Sequence, residues 1–351
     1  MMNQDDLTED LDHILDHTKE ILEEFRNSRI FITGGTGFFG IWLLETFARA
    51  NKKLNLNVEI VTLSRNPARF TKRFPHFAKN PFFHFVTGDI RDFSFPTGSF
   101  KYVFHLATEA SDDLNRNEPL KMFDVIVEGT RHILDFAVSA GVQGLLLASS
   151  GAVYGRQPYE ISHVCETYNG GPDPSNPLSA YGEGKRVAEL LGTLYAKKTG
   201  LEFKIARCFA FVGPYLPLDK HFAIGNFILD SVKKQPVIIK GDGTPLRSYL
   251  YASDLIVWLL TVLVKGNTCT PYNVGSDQAI SIADLAKKIS SCFDYPVEIK
   301  VTSQPQTNIK PEQYIPSVTR ANSELGLKVT VDIVRGIQKT IRFAEHYYNE
   351  L

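Results

Sequence analysis

Hydrophobic positions along this 351-residue chain change period several times. Leu7, Leu11, Ile14, Leu15, Ile21, Leu22 and Phe25 fall three or four apart, which predicts an amphipathic helix within residues 1–28. Acidic residues in its first turn suit the helix dipole. It reads as a helix docked on the body of the protein or on a partner subunit, with a regulatory arm as the alternative. Short apolar runs at 29–33, 58–63, 82–90, 102–107 and 145–149 then read as buried strands. Between and after them, amphipathic runs at 41–48 and 122–140, and another opening near 180, read as helices. Strands alternating with helices at this spacing predict an α/β fold with a right-handed, doubly wound parallel sheet. The longest apolar run, 255–264, is interrupted only by Thr261 and is too short to span a bilayer, so it predicts a core helix.

Length suggests about two domains. The 43% hydrophobic and 22% charged content is ordinary for a globular chain. The net charge of −1 gives no electrostatic footprint for nucleic acid or an anionic membrane. The start is acidic and carries no secretory pattern. Cys165, Cys208, Cys269 and Cys292 are scattered, with no C-x-x-C, and read as reduced thiols of a cytoplasmic protein. No metal-ligand spacing is present.

The chemistry begins at Thr33-Gly-Gly-Thr-Gly-Phe-Phe-Gly40. Gly34, Gly37 and Gly40 lie between a strand and a helix. Gly34 permits a tight turn, Gly37 lets the backbone approach a pyrophosphate, and Gly40 lets helix and strand pack closely. The helix start at Phe38, Phe39 and Gly40 offers N–H groups to the anion. This is a Rossmann dinucleotide cradle. At the end of the second strand, where NAD-binding units place an acid, the chain reads Ser64-Arg65-Asn66. An arginine attracts a 2′-phosphate that a carboxylate would repel. The sequence therefore favours NADP, with NAD the alternative. Asp89 and Ile90 end the third strand, where Asp89 could accept from an adenine amino group. Leu106 and Ala107 end the fourth, and Thr108 and Glu109 follow it at the edge of the same crevice. His105 reads as a packed or loop histidine rather than a catalyst.

Ser149 and Ser150 end the fifth strand, and Tyr181 and Lys185 share one face of the next helix. Tyrosine is a poor base at its free pKa of about 10. A neighbouring ammonium should lower it. Ser150 can hydrogen-bond the substrate oxygen while Tyr181 moves its proton and a hydride passes to or from a nicotinamide.

Together these residues resemble the extended short-chain dehydrogenase/reductase family, in its nucleotide-sugar epimerase and dehydratase branch, over residues 29–350. Gly88-Asp-Ile90, His105-Leu-Ala107, Ser149-Ser-Gly-Ala-Val-Tyr-Gly155, Arg207-Cys-Phe-Ala-Phe-Val-Gly-Pro214, Gly241-Asp-Gly-Thr-Pro-Leu-Arg247, Tyr251-Ala-Ser-Asp254 and Tyr272-Asn-Val-Gly275 carry the likeness. The resemblance implies a Rossmann domain at 29–207 and a smaller mixed α/β substrate domain at 208–351, with strands near Leu250 and Tyr272 returning to the first. It implies that Arg247 binds the pyrophosphate of a nucleotide-diphosphate sugar. Glu109, Ser149, Ser150, Asn226, Tyr272 and the His221-Phe222 region would also serve the substrate. It implies a homodimer through helices 122–140 and 180–197, and a role in carbohydrate biosynthesis.

Departures narrow the reaction. Family 4,6-dehydratases carry an Asp-Glu pair after the catalytic Ser/Thr, and decarboxylases keep the glutamate; here stand Gly151 and Ala152. Both reactions are disfavoured unless Glu109 or Glu183 substitutes. Ile126 and Ala210 replace two usual asparagines, and the second loss puts a substrate contact in doubt. What remains is redox at sugar C4: 4-epimerisation if the cofactor stays bound, or NADPH-dependent reduction of a 4-keto-6-deoxy sugar if it exchanges. A dinucleotide sensor would have a broken Tyr/Lys pair. A steroid or flavonoid reductase would lack the motifs at 241–247 and 272–275.

Overall fold

A computed structural model describes residues 4–108, 112–220, 222–304 and 310–349. Six strands follow in chain order: β1 (Arg29–Thr33), β2 (Glu59–Ser64), β3 (Phe83–Thr87), β4 (Tyr102–His105), β5 (Gly144–Ser150) and β6 (Glu202–Cys208). A seventh, Pro271–Val274, completes one sheet in the order β3, β2, β1, β4, β5, β6, Pro271–Val274. Every neighbour pair is parallel. The order reverses between β1 and β4, which opens a crevice at the carboxyl ends of those strands.

The strands are apolar without alternation because both faces are covered. In β5, Leu146 and Ala148 face one core, and Leu145 and Leu147 face the other. The first core lies under helices Phe38–Leu54 and Ala252–Lys265, the second under Pro119–Ser139 and Ala180–Thr199. The strand expected at 82–90 spans Phe83–Thr87; Gly88 follows it, where a Cβ would sit 2.6 Å from Phe93 Cβ. The 255–264 run is the middle of the Ala252–Lys265 helix and is buried throughout but for Val264. Among the described residues no helix is long and apolar enough to cross a membrane.

Of the two later strands near Leu250 and Tyr272, Pro271–Val274 joins the large sheet, with Tyr272 opposite Ala206. Leu250–Tyr251 instead pairs with Phe211–Val212 in a separate two-stranded sheet. The chain has already left the large sheet at Ala210, whose carbonyl accepts the Leu250 N–H at 3.0 Å. A third core follows, where helices Ala223–Val232, Ile282–Ser290 and Ile333–Asn349 pack together.

The N-terminal helix, Gln4–Glu23, is docked on the body. All seven apolar positions named above are buried. Asp12 pairs with Arg49 at 2.9 Å and Lys53 at 2.7 Å, and Asp10 accepts from the Tyr251 hydroxyl at 2.6 Å.

Candidate active site

The glycine turn is shaped by close approach. Gly34 has φ +70°, and a Cβ there would lie 2.7 Å from the Ala107 nitrogen. The Leu106-Ala107 backbone therefore closes against the cradle. A Cβ on Gly40 would lie 2.2 Å from Gly35 Cα, so only glycine lets the helix start this near the strand. Gly37 is the N-cap of the Phe38–Leu54 helix and makes no side-chain hydrogen bond. First-turn N–H groups without a side-chain cap suit an anion. Phe38 and Phe39 pack against the core, and Phe39 meets the Phe211 ring edge-on at 5.0 Å. The cradle thus fits a dinucleotide, which Gly34, Gly37 and the first turn would hold by its pyrophosphate.

Ser64 and the exposed Arg65 lie at the end of β2, and Arg65 is near enough to Asp89 to stabilise its carboxylate. The larger influence on Asp89 is Arg91, which hydrogen-bonds it at 2.8 Å and helps hold its pKa below the usual range. Ile90 is buried and packs against Gly129. His105 is a packed histidine. Its ring nitrogens lie 2.8 Å from Thr33 Oγ1 and 3.2 Å from Thr130 Oγ1. Burial, then the nearby Lys185, pushes its pKa down to about 3, so it stays neutral.

Tyr181 and Lys185 leave the first turns of the Ala180–Thr199 helix beneath the end of β5. Lys185 is 2% exposed, and its Nζ donates to the Ala148 carbonyl and to Thr108 Oγ1, both at 2.6 Å. Burial lowers its pKa to about 8, against the pull of Cys208 and Glu189. Burial raises the Tyr181 phenol pKa and outweighs the nearby Ser150 hydroxyl, which favours the phenolate. The expected lowering of Tyr181 by Lys185 is thus not what the geometry gives. The ammonium is engaged by a carbonyl and a hydroxyl, and the phenol sits in a low-dielectric setting.

Several expected contacts lie elsewhere. Ser149 is buried and donates to Glu189 Oε1 at 2.5 Å, so it belongs to an ion-pair network rather than to the substrate. Tyr272 is fully buried, and its hydroxyl donates to Glu324 at 2.7 Å; it anchors the sheet edge and has no group left for a ligand. Glu183 cannot replace the missing carboxylates at positions 151 and 152. It stands two residues from both Tyr181 and Lys185, on the opposite side of the helix, 3.6 Å from Arg186. Glu109 and His221 lie outside the described residues. Asn226 is half-buried on the Ala223–Val232 helix, and Phe222 before it is exposed. Ile126 packs under the Ala180–Thr199 helix, where a Cβ on Gly184 would lie 3.3 Å from its Cδ1.

Arg247 is brought to the site by a three-stranded sheet. Leu246–Arg247 pairs with Gln313–Tyr314, in register Arg247 to Tyr314. The Tyr314 hydroxyl lies against Gly151, where a Cβ would come within 2.7 Å of it, and Arg247 acts on it electrostatically. Tyr314 is the residue the sequence reading missed. It sits in no motif, and its one signal was the glycine at position 151 that makes room for it.

Sheet, cradle and Tyr-Lys pair define a Rossmann-type dinucleotide-binding protein. Residues 30–275 match the NAD dependent epimerase/dehydratase family, and the chain belongs to that family. It is 31% identical to UDP-glucuronic acid decarboxylase 1 of Xenopus tropicalis over 332 residues, 94% of this chain and 74% of the relative. Its fold is that of UDP-glucuronic acid 4-epimerase from Bacillus cereus, solved with UDP-glucuronic acid and NAD. The TM-score is 0.76 at 20% identity, over 91% of this chain and 100% of the other. The fold is shared equally with a dTDP-glucose 4,6-dehydratase of Streptomyces venezuelae, solved with NAD, at TM-score 0.76 and 22% identity over 92% and 98% of the two chains.

Proposed function

We propose that the protein is a nucleotide-sugar enzyme acting by hydride transfer at sugar C4, of epimerase type. The observation that carries this reading is the convergence of Ser150, Tyr181 and Lys185 beside the glycine cradle, with no carboxylate at positions 151 and 152. Residues 29–207 hold the dinucleotide, and residues 208–351 hold the nucleotide sugar, with Arg247 on its pyrophosphate. A bound nicotinamide dinucleotide supplies the hydride acceptor and donor. Ser150 hydrogen-bonds the C4 oxygen and Tyr181 takes or returns its proton. Lys185 keeps a positive charge beneath them near neutral pH, since its pKa is about 8.

A second reading, an NADPH-dependent 4-keto-6-deoxysugar reductase, draws support from two observations. Arg65 beside Asp89 suits a 2′-phosphate, and a protonated Tyr181 is ready to give its proton to a ketone oxygen. The decarboxylase reading draws on the similar relatives alone. C4 oxidation of a glucuronic acid sugar makes a β-keto acid that loses CO2 readily. Pairing through helices Pro119–Ser139 and Ala180–Thr199 fits the exposed Leu120, Leu190 and Leu194, at 73%, 58% and 54%.

Denaturing the purified protein, and identifying any released dinucleotide by mass, tests the reading. The native preparation is then incubated with UDP-glucuronic acid and UDP-glucose, and the products read by NMR. Tightly held cofactor and a C4 epimer are expected. A UDP-pentose with CO2 release would establish the decarboxylase. An empty protein that consumes NADPH only with a 4-keto sugar would establish the reductase. Light scattering of the same sample should give the mass of a dimer.

A further inference from the structure

We propose that Arg156 is a second guanidinium of the subsite that takes the diphosphate of the substrate, and that Glu312 holds the place of that anion between Arg156 and Arg247. The inference rests on the reading that Arg247 binds the pyrophosphate of a nucleotide sugar, and it deepens that reading.

The three side chains come from distant parts of the chain. Arg247 lies on the Leu246–Arg247 strand, in register with Tyr314. Glu312 stands just before the Gln313–Tyr314 strand, and its carbonyl accepts the Leu246 N–H at 2.7 Å. That hydrogen bond keeps the Glu312 carboxylate near Arg247. Arg156 arrives from the loop that follows Ser150. Gly155 makes the turn before it, with φ +68°, and a Cβ there would lie 2.3 Å from the Gly171 carbonyl oxygen. Only glycine fits that turn.

One carboxylate meets both guanidiniums. Glu312 Oε2 lies 4.0 Å from Arg247 Nη2, and Glu312 Oε1 lies 3.9 Å from Arg156 Nη2. Both distances are longer than a direct charge-assisted hydrogen bond of about 2.7–2.9 Å. The Glu312 and Arg156 side chains are 58% and 66% exposed. Loose, exposed ion pairs contribute little, so a stronger anion displaces this carboxylate readily. The guanidiniums are better held. Arg247 donates to the Leu246 carbonyl at 2.9 Å. Arg156 lies over the Tyr159 ring, 5.1 Å from its centroid, and donates to the Tyr159 hydroxyl. A guanidinium has several N–H donors in a planar fork, so one anchor leaves others for phosphate oxygens. With Glu312 turned away, two positive charges face the two negative charges of a diphosphate diester. Lys310 lies on the same segment but pairs with Glu160 at 3.9 Å, outside this group.

Calorimetric titration of the intact protein decides it, with NAD and NADP in excess to fill the glycine cradle. The probes are UDP and inorganic pyrophosphate. Arg156→Gln should weaken UDP binding roughly tenfold, as for a lost hydrogen bond to a charged group. Glu312→Gln should tighten it about twofold to fivefold, as for removal of a weak competing ion pair. Lys310→Gln removes a neighbouring charge that salt screens, and should change it by less than about twofold. An Arg156→Gln effect no larger than that of Lys310→Gln overturns the proposal, and so does a Glu312→Gln variant that fails to bind UDP more tightly. If Arg247→Gln abolishes UDP binding while Arg156→Gln leaves it intact, the pyrophosphate reading stands and the second guanidinium is rejected. If pyrophosphate binds with the expected pattern of variants but UDP binds no tighter than pyrophosphate, the subsite stands and the nucleotide-sugar reading falls. A protein that binds neither probe overturns both.

Discussion

Two polar clusters hang from neighbouring residues at the end of β5, and they are opposites. Ser149 donates to Glu189, which pairs with Arg207 at 2.7 Å. Arg207 also donates to the Tyr154 hydroxyl at 3.0 Å, and that hydroxyl donates to Asn273 at 2.7 Å. Asn273 closes the chain on the Val164 and Ser317 carbonyls. Charge meets charge, and each donor named here has its acceptor. One residue on, Ser150 lies near two phenols whose pKa values are raised and near a lysine whose pKa is lowered. Among the described residues Lys185 has no carboxylate within salt-bridge distance. A balanced buried network holds a fold, whereas an unbalanced one keeps protons ready to move. The two clusters share a strand and a helix, so the first gives the second its rigid floor.

This contrast can be broken by experiment. The largest effect belongs to Tyr181→Phe, which should lower turnover about 100- to 10,000-fold while leaving the melting temperature in place. A variant that melts early instead would make Tyr181 part of the frame. Next comes Glu189→Ala. It leaves the Arg207 guanidinium mostly buried without its partner, a loss of about 3–5 kcal/mol. Denaturant unfolding reads it, and a loss below about 1 kcal/mol would mean that the network is not structural.

The smallest effect is a pH slope. Lys185 has a folded pKa of about 8, below the value of about 10.4 expected unfolded. Between those values the unfolded chain binds more protons, so this group makes stability rise with pH; below 8 its burial penalty is fully present. Unfolding free energies of the protein and of Lys185→Met, compared from pH 7 to 10.5, should diverge in that direction. Parallel curves would show that the ammonium is not destabilised by its site.

Much of this was legible in the chain. Residues 29–33 and 145–149 announced strands because buried parallel strands have no polar face to interrupt them. Gly34, Gly37 and Gly40 announced the cradle because close backbone approach leaves no room for a side chain. The four-residue step from Tyr181 to Lys185 put both on one face. The same arithmetic could have removed Glu183, which stands two residues from each. Ser149 and Ser150 were harder to separate. Successive strand residues point to opposite faces, and only the packing shows that Ser149 is the one taken by Glu189. Tyr272 belongs to a motif that fits the family, yet its hydroxyl is taken by Glu324 from a later helix.

By itself, then, the sequence determined what depends on near neighbours: periodicity, turns, the anion cradle and the shared face of a helix. The tertiary structure alone decided which polar groups meet across long separations. It paired Glu189 with Arg207, set the Tyr314 hydroxyl beside Gly151 through a two-residue strand next to Arg247, and turned the Tyr181 phenol pKa upward where a lysine neighbour suggested the reverse. Burial and charge around a group are properties of its whole environment, and they exist only once the chain has folded.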